Sequence, residues 1–222
     1  MIDYIYLYLY YSIMKKLFLL ISLCFLWTIL VGCGKKTANE VCPLTGNVCG
    51  ISSWTIDHSD LSGVIKNVLL AIKNTDLLTI SSFVWPQGLR FSPYEHVNIG
   101  TDVILTSGEV ANGLAMNRSF TRWTYDGKWD PIDLWIGQYR EKFVYDVDFA
   151  TAPEIYHNQK FNRGNVINNI FDVYSGKEII EYHFPQIDPQ YEGMDWRSLY
   201  LVFEQMNGQW YLVWIVHGQW TI

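Results

Sequence analysis

Positive charge is scarce in this chain. Its 222 residues include 16 lysines and arginines against 22 aspartates and glutamates, so the formal net charge is −6 at pH 7. A nucleic-acid-binding domain needs a clustered basic face, and this composition does not supply one. We therefore expect no nucleic-acid partner.

Recognisable catalytic motifs are missing as well. The sequence has no HExxH zinc motif, no phosphate-binding loop and no Ser-His-Asp motif. Asp146 and Asp148 are spaced like the first ligands of a calcium loop, but the later acidic ligands and the glycine of that motif are missing. The sequence therefore predicts no catalytic residue, no cofactor and no metal, and a non-enzymatic role is favoured over an enzyme.

Cysteine occurs at only four positions, and one of them, Cys24, lies in the apolar N-terminal run. Cys42 and Cys49 bracket a short loop without histidine, which leaves too few ligands for a zinc site. In an oxidising compartment these two thiols would form a small disulfide loop. Two free thiols in a flexible tether are the alternative.

The N-terminal region has the pattern of a secretory signal peptide. Lys15 and Lys16 precede residues 17–31, which carry no charge. That run of 15 residues is short for a membrane-spanning helix, which needs about 20. Residues 1–13 precede a complete signal and contain no positive charge, so we interpret them as a mis-assigned start, with Met14 as the true first residue.

The apolar run ends in Leu30, Val31, Gly32 and Cys33, and this tetrad resembles the lipobox of bacterial lipoproteins. The resemblance implies that a peptidase cuts before Cys33, that its thiol carries a diacylglyceryl group and that the new amine is often acylated. Two or more acyl chains hold a protein stably on a bilayer. We therefore expect a lipid-anchored protein of the bacterial cell membrane or outer membrane, with its domain outside the cytoplasm. An uncleaved signal anchor with Cys33 as a buried thiol is the alternative.

The rest of the chain divides in two. After a leader (1–32), residues 33–53 are rich in small and polar residues and are typical of a tether. Residues 54–222 have the length of one domain.

Secondary structure in this domain is predicted from hydrophobic spacing and capping signals. Helices are predicted at 59–73, 77–84 and about 133–143, with a helical turn after the capping box of Thr106 and Glu109. Strands are predicted at 89–91, 120–125 and 178–184. Residues 146–176 are expected to be mainly loop, with partial order at 166–173.

A C-terminal hairpin is the strongest strand signal. Residues 196–206 and 209–219 flank Asn207-Gly208, a two-residue turn typical of hairpins. The numbers of facing residues then sum to 415. One face is wholly apolar and must be buried. The other is mixed, and we expect it to be half exposed or an interface. In this register the mixed face carries Ser198, Tyr200, Val202, Glu204, Tyr211, Val213, Ile215 and His217.

The order of elements (helix, helix, short strand, helix, long meander) is similar to the nuclear transport factor-like, or cystatin-like, cone. This resemblance implies an α+β fold in which a curved antiparallel sheet wraps around N-terminal helices and leaves a pocket at the open end. Residues 143–146, 181–185, 194–198 and 217–222 are similar to segments of uncharacterised bacterial envelope proteins, which bring no known activity.

Enzymes of the cone superfamily use a pocket Asp or His as a general base. In the predicted register His217 lies outside the cone's interior, which favours a structural histidine. Arg197 continues the apolar face and could bind an anionic ligand at the pocket mouth; an ion pair with Asp195 or another loop carboxylate is the alternative. Trp123 and Tyr182 could line an apolar pocket, although such residues are more often plain core.

These observations favour a lipid-anchored, non-enzymatic envelope protein whose domain binds a ligand, a wall component or a partner protein. The alternative is a lyase or isomerase of the ketosteroid-isomerase-like superfamily that acts on a small apolar substrate. A further hypothesis is a homodimer through the mixed sheet face, which would expose Tyr200, Tyr211 and Ile215.

Overall fold

The structure is a computed structural model and describes residues 56–113, 119–120, 124–125, 128, 130–164 and 166–221. These belong to the second of two compact units, Ile56–Ile222. Among them, no helix combines the length and the apolar character needed to cross a bilayer. The leader (1–32), the tether (33–53) and the predicted site residues Cys33, Cys42, Cys49 and Trp123 lie outside the described residues.

The first helix, α1 (Leu61–Lys73), begins at a side-chain cap. The Asp60 carboxylate accepts hydrogen bonds from the backbone N–H groups of Ser62 and Gly63, which would otherwise lack partners in the first turn. Its apolar residues recur at helical spacing and turn one face toward the sheet. The buried residues of that face are Val64, Val68, Leu69, Ala71 and Ile72.

The other helices are short. They are α2 (Leu77–Ser82), α3 (Ser107–Ala111), α4 (Ile136–Phe143) and α5 (Ile170–Val173). The capping box predicted for α3 is present, with Thr106 and Glu109 each bonded to the other's backbone. Each predicted helix is present, although α1 and α4 begin later than predicted and α2 ends earlier. The helix α5 accounts for the partial order expected at 166–173.

A six-stranded sheet forms the centre of the fold. Its strands are β1 (Leu89–Ser92), β2 (Val103–Leu105), β5 (Glu154–His157), β6 (Glu178–Phe184), β7 (Arg197–Met206) and β8 (Gln209–Gln219). They lie in the order β2-β1-β8-β7-β6-β5, and β3 (Ser119–Phe120) pairs separately with β4 (Leu134–Trp135). Neighbours in the large sheet are antiparallel except β1 and β8, which are parallel. The predicted α+β class is confirmed.

Three strands were not predicted. β4 occupies Leu134–Trp135, where the helix predicted at about 133–143 was expected to begin. β5 lies in the region expected to be mainly loop, and β2 has only three residues. Both are edge strands, where the alternation of buried and exposed residues is short and therefore weak as a signal. Of the predicted strand 120–125, Phe120 lies in β3 and Thr124 bridges Pro131; the residues between them are outside the described set.

The hairpin follows the predicted register only near its turn. Phe203 faces Leu212, as expected, but the pairing shifts by one residue between Val202 and Phe203, so that Leu199 faces His217. The predicted register is therefore wrong beyond this β-bulge. The turn specifies the pairs beside it, whereas a bulge inserts one residue and exchanges the faces of all residues that follow.

Both faces of the sheet are covered. The inner face, which carries Leu199, Leu201 and Ile215, packs under the helices. Tyr200, on the outer face, belongs to a second apolar cluster, in which Ile170 and Tyr174 pack against the sheet. The remaining outer-face members of that cluster are Ile179, Val202, Val213, Trp214 and Val216.

The expected exposure of the mixed face is wrong beyond the bulge, whereas Glu204 and Tyr211, near the turn, are half buried as expected. Tyr200 is 0% exposed and Ile215 is 2% exposed. Residues of the same chain cover Tyr200, and the bulge places Ile215 on the inner face. The homodimer stays a prediction, but of the three residues on which it was based, Tyr200 and Ile215 are buried and Tyr211 is half buried.

Candidate functional site

Among the described residues, the space between the helices and the inner face is nearly filled. The cavity there has a volume of about 40 Å³ and is bordered by apolar side chains such as Ile72, Phe91 and Ile215. Ligand pockets usually measure about 300–1,000 Å³, and one water takes about 30 Å³. This cavity therefore holds water at most and has no room for a small organic substrate.

A polar group lies at one end of the inner face, and we call Asp146, Arg197 and His217 the inner triad. Arg197 Nε donates to Asp146 Oδ2 at 2.8 Å, and His217 Nε2 lies 3.2 Å from Asp146 Oδ1. Burial disfavours charge on Asp146, but the hydrogen bond and charge of His217 and the charge of Arg197 outweigh it, so the pKa of Asp146 is lowered. One carboxylate is thus matched by one permanent cation.

His217 lies inside the fold, which corrects the expectation drawn from the unshifted register. The residue is 0% exposed, and its ring packs edge-on against Phe143 with 5.8 Å between centroids. Its Nδ1 has no hydrogen-bond partner among the residues that the structure describes. If Nε2 donates to Asp146, Nδ1 is a bare acceptor, which is the arrangement of a histidine oriented by a carboxylate.

A second polar group lies on the outer face, and we call Glu95, Arg163, Glu181, Ser198 and Tyr200 the outer cluster. Arg163 Nη1 donates to Glu181 Oε1 and lies 3.4 Å from the Tyr200 hydroxyl. Ser198 Oγ donates to the same Glu181 oxygen at 2.7 Å. Tyr200 donates its proton to Glu95 Oε1 at 2.5 Å. These contacts join β6, β7 and two loops.

The outer cluster holds two carboxylates and one guanidinium. Glu95 and Glu181 are each 1% exposed, and Oε2 of each has no hydrogen-bond partner in the described part of the chain. Burial raises the pKa of Glu95 to about 7, against the hydrogen bond from Tyr200. Burial also raises the pKa of Glu181, against Ser198 and Arg163. Charge in this cluster is therefore unbalanced when both carboxylates are ionised.

His183 borders the outer cluster but does not activate Ser198. The Ser198 proton is already donated to Glu181, so His183 Nδ1 must donate to Ser198 Oγ, 2.8 Å away. Burial, and then the charge of Arg163, lower the pKa of His183 to about 4, which leaves the ring neutral at pH 7. A nucleophilic serine needs a histidine that accepts its proton, and here the direction is reversed.

Two of the sequence-predicted ligand residues can be placed. The guanidinium of Arg197 is bound to Asp146 and to the carbonyls of Asp195 and Trp196, both at 2.9 Å, so its ion pair is with a loop carboxylate. Tyr182 is buried on the inner face, where burial raises its pKa to about 12. Their roles in ligand binding stay predictions, as does that of Trp123.

Sequence reasoning did not single out Asp146 as a partner of Arg197, nor Glu95 and Arg163 as members of a site. Only β6 carried a signal, because Glu181 and His183 alternate with apolar residues in a strand that is otherwise hydrophobic. The loop residues had no periodicity that would show which face of the sheet they meet.

A groove lies outside the core, on the surface of α1 and α2. Its volume is about 300 Å³, and Leu70, Ala71 and Phe83 border it together with the polar residues Asn74 and Thr79. Leu70 is 41% exposed. The groove begins beside Ile56, the first described residue, and its size reaches the lower end of the range for small-ligand sites.

Metal binding has no support in the described ranges. Within them, no group of three or more His, Cys, Asp or Glu side chains is arranged to hold an ion.

Comparison with known proteins identifies no family. No family model matches the chain, and no curated protein matches it. A solved structure that is similar is a designed NTF2-like protein, Rd1NTF2_05 with five substitutions. It shares 14% identity and a TM-score of 0.31, over 71% of this chain and 95% of that one. At this identity and TM-score, no residue of this chain can be assigned a role from that structure.

Proposed function

We propose that this chain is a lipid-anchored bacterial envelope protein whose α+β domain binds a ligand, a wall component or a partner protein and catalyses no reaction. The observation that supports the non-enzymatic part is that the described residues leave little space under the helices. A cavity of about 40 Å³ under the helices cannot hold a substrate. The surface groove of about 300 Å³ on α1 and α2, by contrast, has room for a small ligand.

The lipid anchor rests on the lipobox of the sequence and is tested at Cys33. We expect mass spectrometry of the protein from its native host to show a mature chain that begins at Cys33 and carries acyl groups. Cys33→Ser should accumulate as an unprocessed precursor. Normal processing and lipid labelling of that variant would overturn the anchor, and would leave the proposal for the domain to be judged by its own test.

A second candidate, an isomerase or lyase, is favoured by one observation. Asp146 orients His217 at the inner face, and the unbonded Nδ1 of His217 has the geometry of a general base. Enzymes of the cone superfamily that this sequence resembles use such a pocket base.

Exchange of α-protons on a small apolar ketone separates the two candidates. We would incubate cyclohexanone with the full chain in D₂O and follow deuterium incorporation by NMR. The binding proposal predicts equal rates for the wild-type protein, His217→Gln and His183→Gln, the last being a matched buried histidine on the outer face. An acceleration that His217→Gln and Asp146→Asn abolish, and that His183→Gln retains, would replace the binding proposal with the enzyme.

A further inference from the structure

The segment that covers the outer cluster is residues 158–164, which we call the strap. It leaves the sheet after β5, where Asn158 is bonded through its side chain to Ile179 N–H at 2.8 Å. Beyond that point the strap has no helix or strand. Of its side chains, Arg163 reaches the sheet, bonds Glu181 and lies above the Phe161 ring at 4.6 Å.

The groups beneath the strap define its charge balance. Glu95 is faced by Tyr200 from β7, by Glu181 from β6 and by Arg163 from the strap. His183, also on β6, is neutral at pH 7. The residue that faces Glu95 from β8 is Gly218, which has no side chain and therefore no charge.

The outer cluster has no space for another group beside Gly218. A Cβ at that position would lie 2.8 Å from Glu95 Oε1 and 3.1 Å from Trp196. Close packing by Gly218 and Trp196 therefore excludes water from this side of Glu95, and the strap meets the cluster through the contacts of Arg163 with Glu181 and Tyr200.

The Tyr200 hydroxyl and Arg163 leave the two carboxylates with too few hydrogen bonds and too little positive charge. Tyr200 has one proton and gives it to Glu95, while the single guanidinium is bonded to Glu181. An ionised Glu95 would therefore be a second buried negative charge opposite one positive charge, and such uncompensated burial is costly. One added proton on this pair removes the imbalance.

We propose that the strap is a pH-dependent cover, which closes over Glu95 and Glu181 with the uptake of one proton and opens as the pH rises. The closed form holds a proton on Glu95 up to a pKa of about 7, whereas a solvated glutamate titrates near 4.5. Closure is therefore favoured below the lower value and weakened as pH rises through the upper one. The fraction of open strap should increase about tenfold between pH 6 and pH 8.

Trypsin cleavage after Arg163 measures strap opening, because the protease must take up a side chain that is 15% exposed in the closed form. The full chain in detergent micelles would be digested briefly at pH 6, 7 and 8. Rates would be divided by the rate for a short arginine peptide under the same conditions. We expect the corrected rate after Arg163 to rise about tenfold in the wild-type protein and to stay constant in Glu95→Gln.

Cleavage after Arg197, in the central strand β7, reports opening of the whole domain and serves as the internal reference. Glu181→Gln provides a second neutral variant in case Glu95→Gln does not fold, and it should reduce the pH dependence because Glu95 then has Arg163 as its counter-charge without a competing carboxylate. The proposal is overturned by a wild-type rate after Arg163 that does not change with pH. It is equally overturned if the neutral variants keep the wild-type pH dependence, or if cleavage after Arg197 rises in parallel.

Discussion

The two polar groups lie at the same end of one sheet, on opposite faces, and differ in their charge balance. In the inner triad one carboxylate, Asp146, meets the permanent cation of Arg197. In the outer cluster two carboxylates share the guanidinium of Arg163. Glu95 and Glu181 are also more deeply buried, each 1% exposed, than the Asp146 side chain, which is 17% exposed. Burial and charge balance together therefore decide how each group responds to pH.

The two faces should therefore respond to pH with opposite signs. The pKa of Asp146 is lowered, so the stability it contributes is present above the ordinary value of 3.8 and is lost as the pH falls. The pKa of Glu95 is raised, so its contribution is present below 4.5 and is lost as the pH rises through about 7. A single domain thus combines one acid-sensitive and one base-sensitive face.

The largest effect is expected from Arg163→Met, which leaves two buried carboxylates without a cation. Removing one partner of a buried ion pair costs about 3–5 kcal/mol, and we expect a loss of that size in the free energy of unfolding at pH 7.5, measured by urea denaturation. Combining Arg163→Met with Glu181→Gln should recover much of it. A loss below about 1 kcal/mol would show that the outer cluster is solvated and the comparison mistaken.

The next effect is the pH dependence of the outer face. The wild-type free energy of unfolding should fall by about 2–3 kcal/mol between pH 5 and pH 8, because the folded state binds a proton on Glu95 that the unfolded chain releases near pH 4.5. Glu95→Gln should remove this decline and leave the acid side unchanged. Urea titrations at each pH measure it; an equal decline in the variant would assign the effect to another group.

A smaller effect is expected from Asp146→Asn on the inner face. Hydrogen bonds to charged groups contribute about 1.5–3 kcal/mol each, and we expect a loss of about 2 kcal/mol near pH 7 that decreases as the pH falls below 3.8. The exposed Asp172→Asn is the matched control and should not change the unfolding midpoint. If the loss from Asp146→Asn persisted unchanged at pH 3, the charge of Asp146 would not be its source.

The smallest effect is expected at the far end of the outer face, where Lys177 bonds Glu204. Both side chains are partly exposed, at 26% and 35%, and such pairs contribute less than about 1 kcal/mol. Lys177→Met should therefore lower the unfolding free energy by no more than that, with a further decrease in the effect at 1 M salt. A loss as large as that of Arg163→Met would mean that burial does not explain the larger loss of unfolding free energy expected in the outer cluster.

The elements that were predicted well depend on neighbours in the sequence. The apolar spacing of α1 and the reciprocal cap at Thr106 and Glu109 involve residues within one or two helical turns. The hairpin turn is equally local: Asn207 and Gly208 both adopt positive φ, 53° and 77°, as this turn requires. The strands β2 and β5 were missed because short edge strands leave little pattern.

The candidate sites were predicted much less well. The bulge between Val202 and Phe203 has no mark in the sequence, yet it moved His217 from the outer to the inner face. Arg197 was identified as a cation near the end of the hairpin, but its partner, Asp146, lies 51 positions away in a loop. Glu95 and Tyr200 are 105 positions apart, and nothing local relates them.

The sequence by itself determined the helices, the hairpin turn, the α+β class and the predicted signal for lipidation at Cys33, because each is a pattern of neighbouring residues. Tertiary structure alone decided which carboxylate meets which cation, which face His217 occupies and how little space the described residues leave under the helices. Those outcomes depend on long-range packing and on one shift of register, and the free energy of a buried charge depends on every group brought next to it.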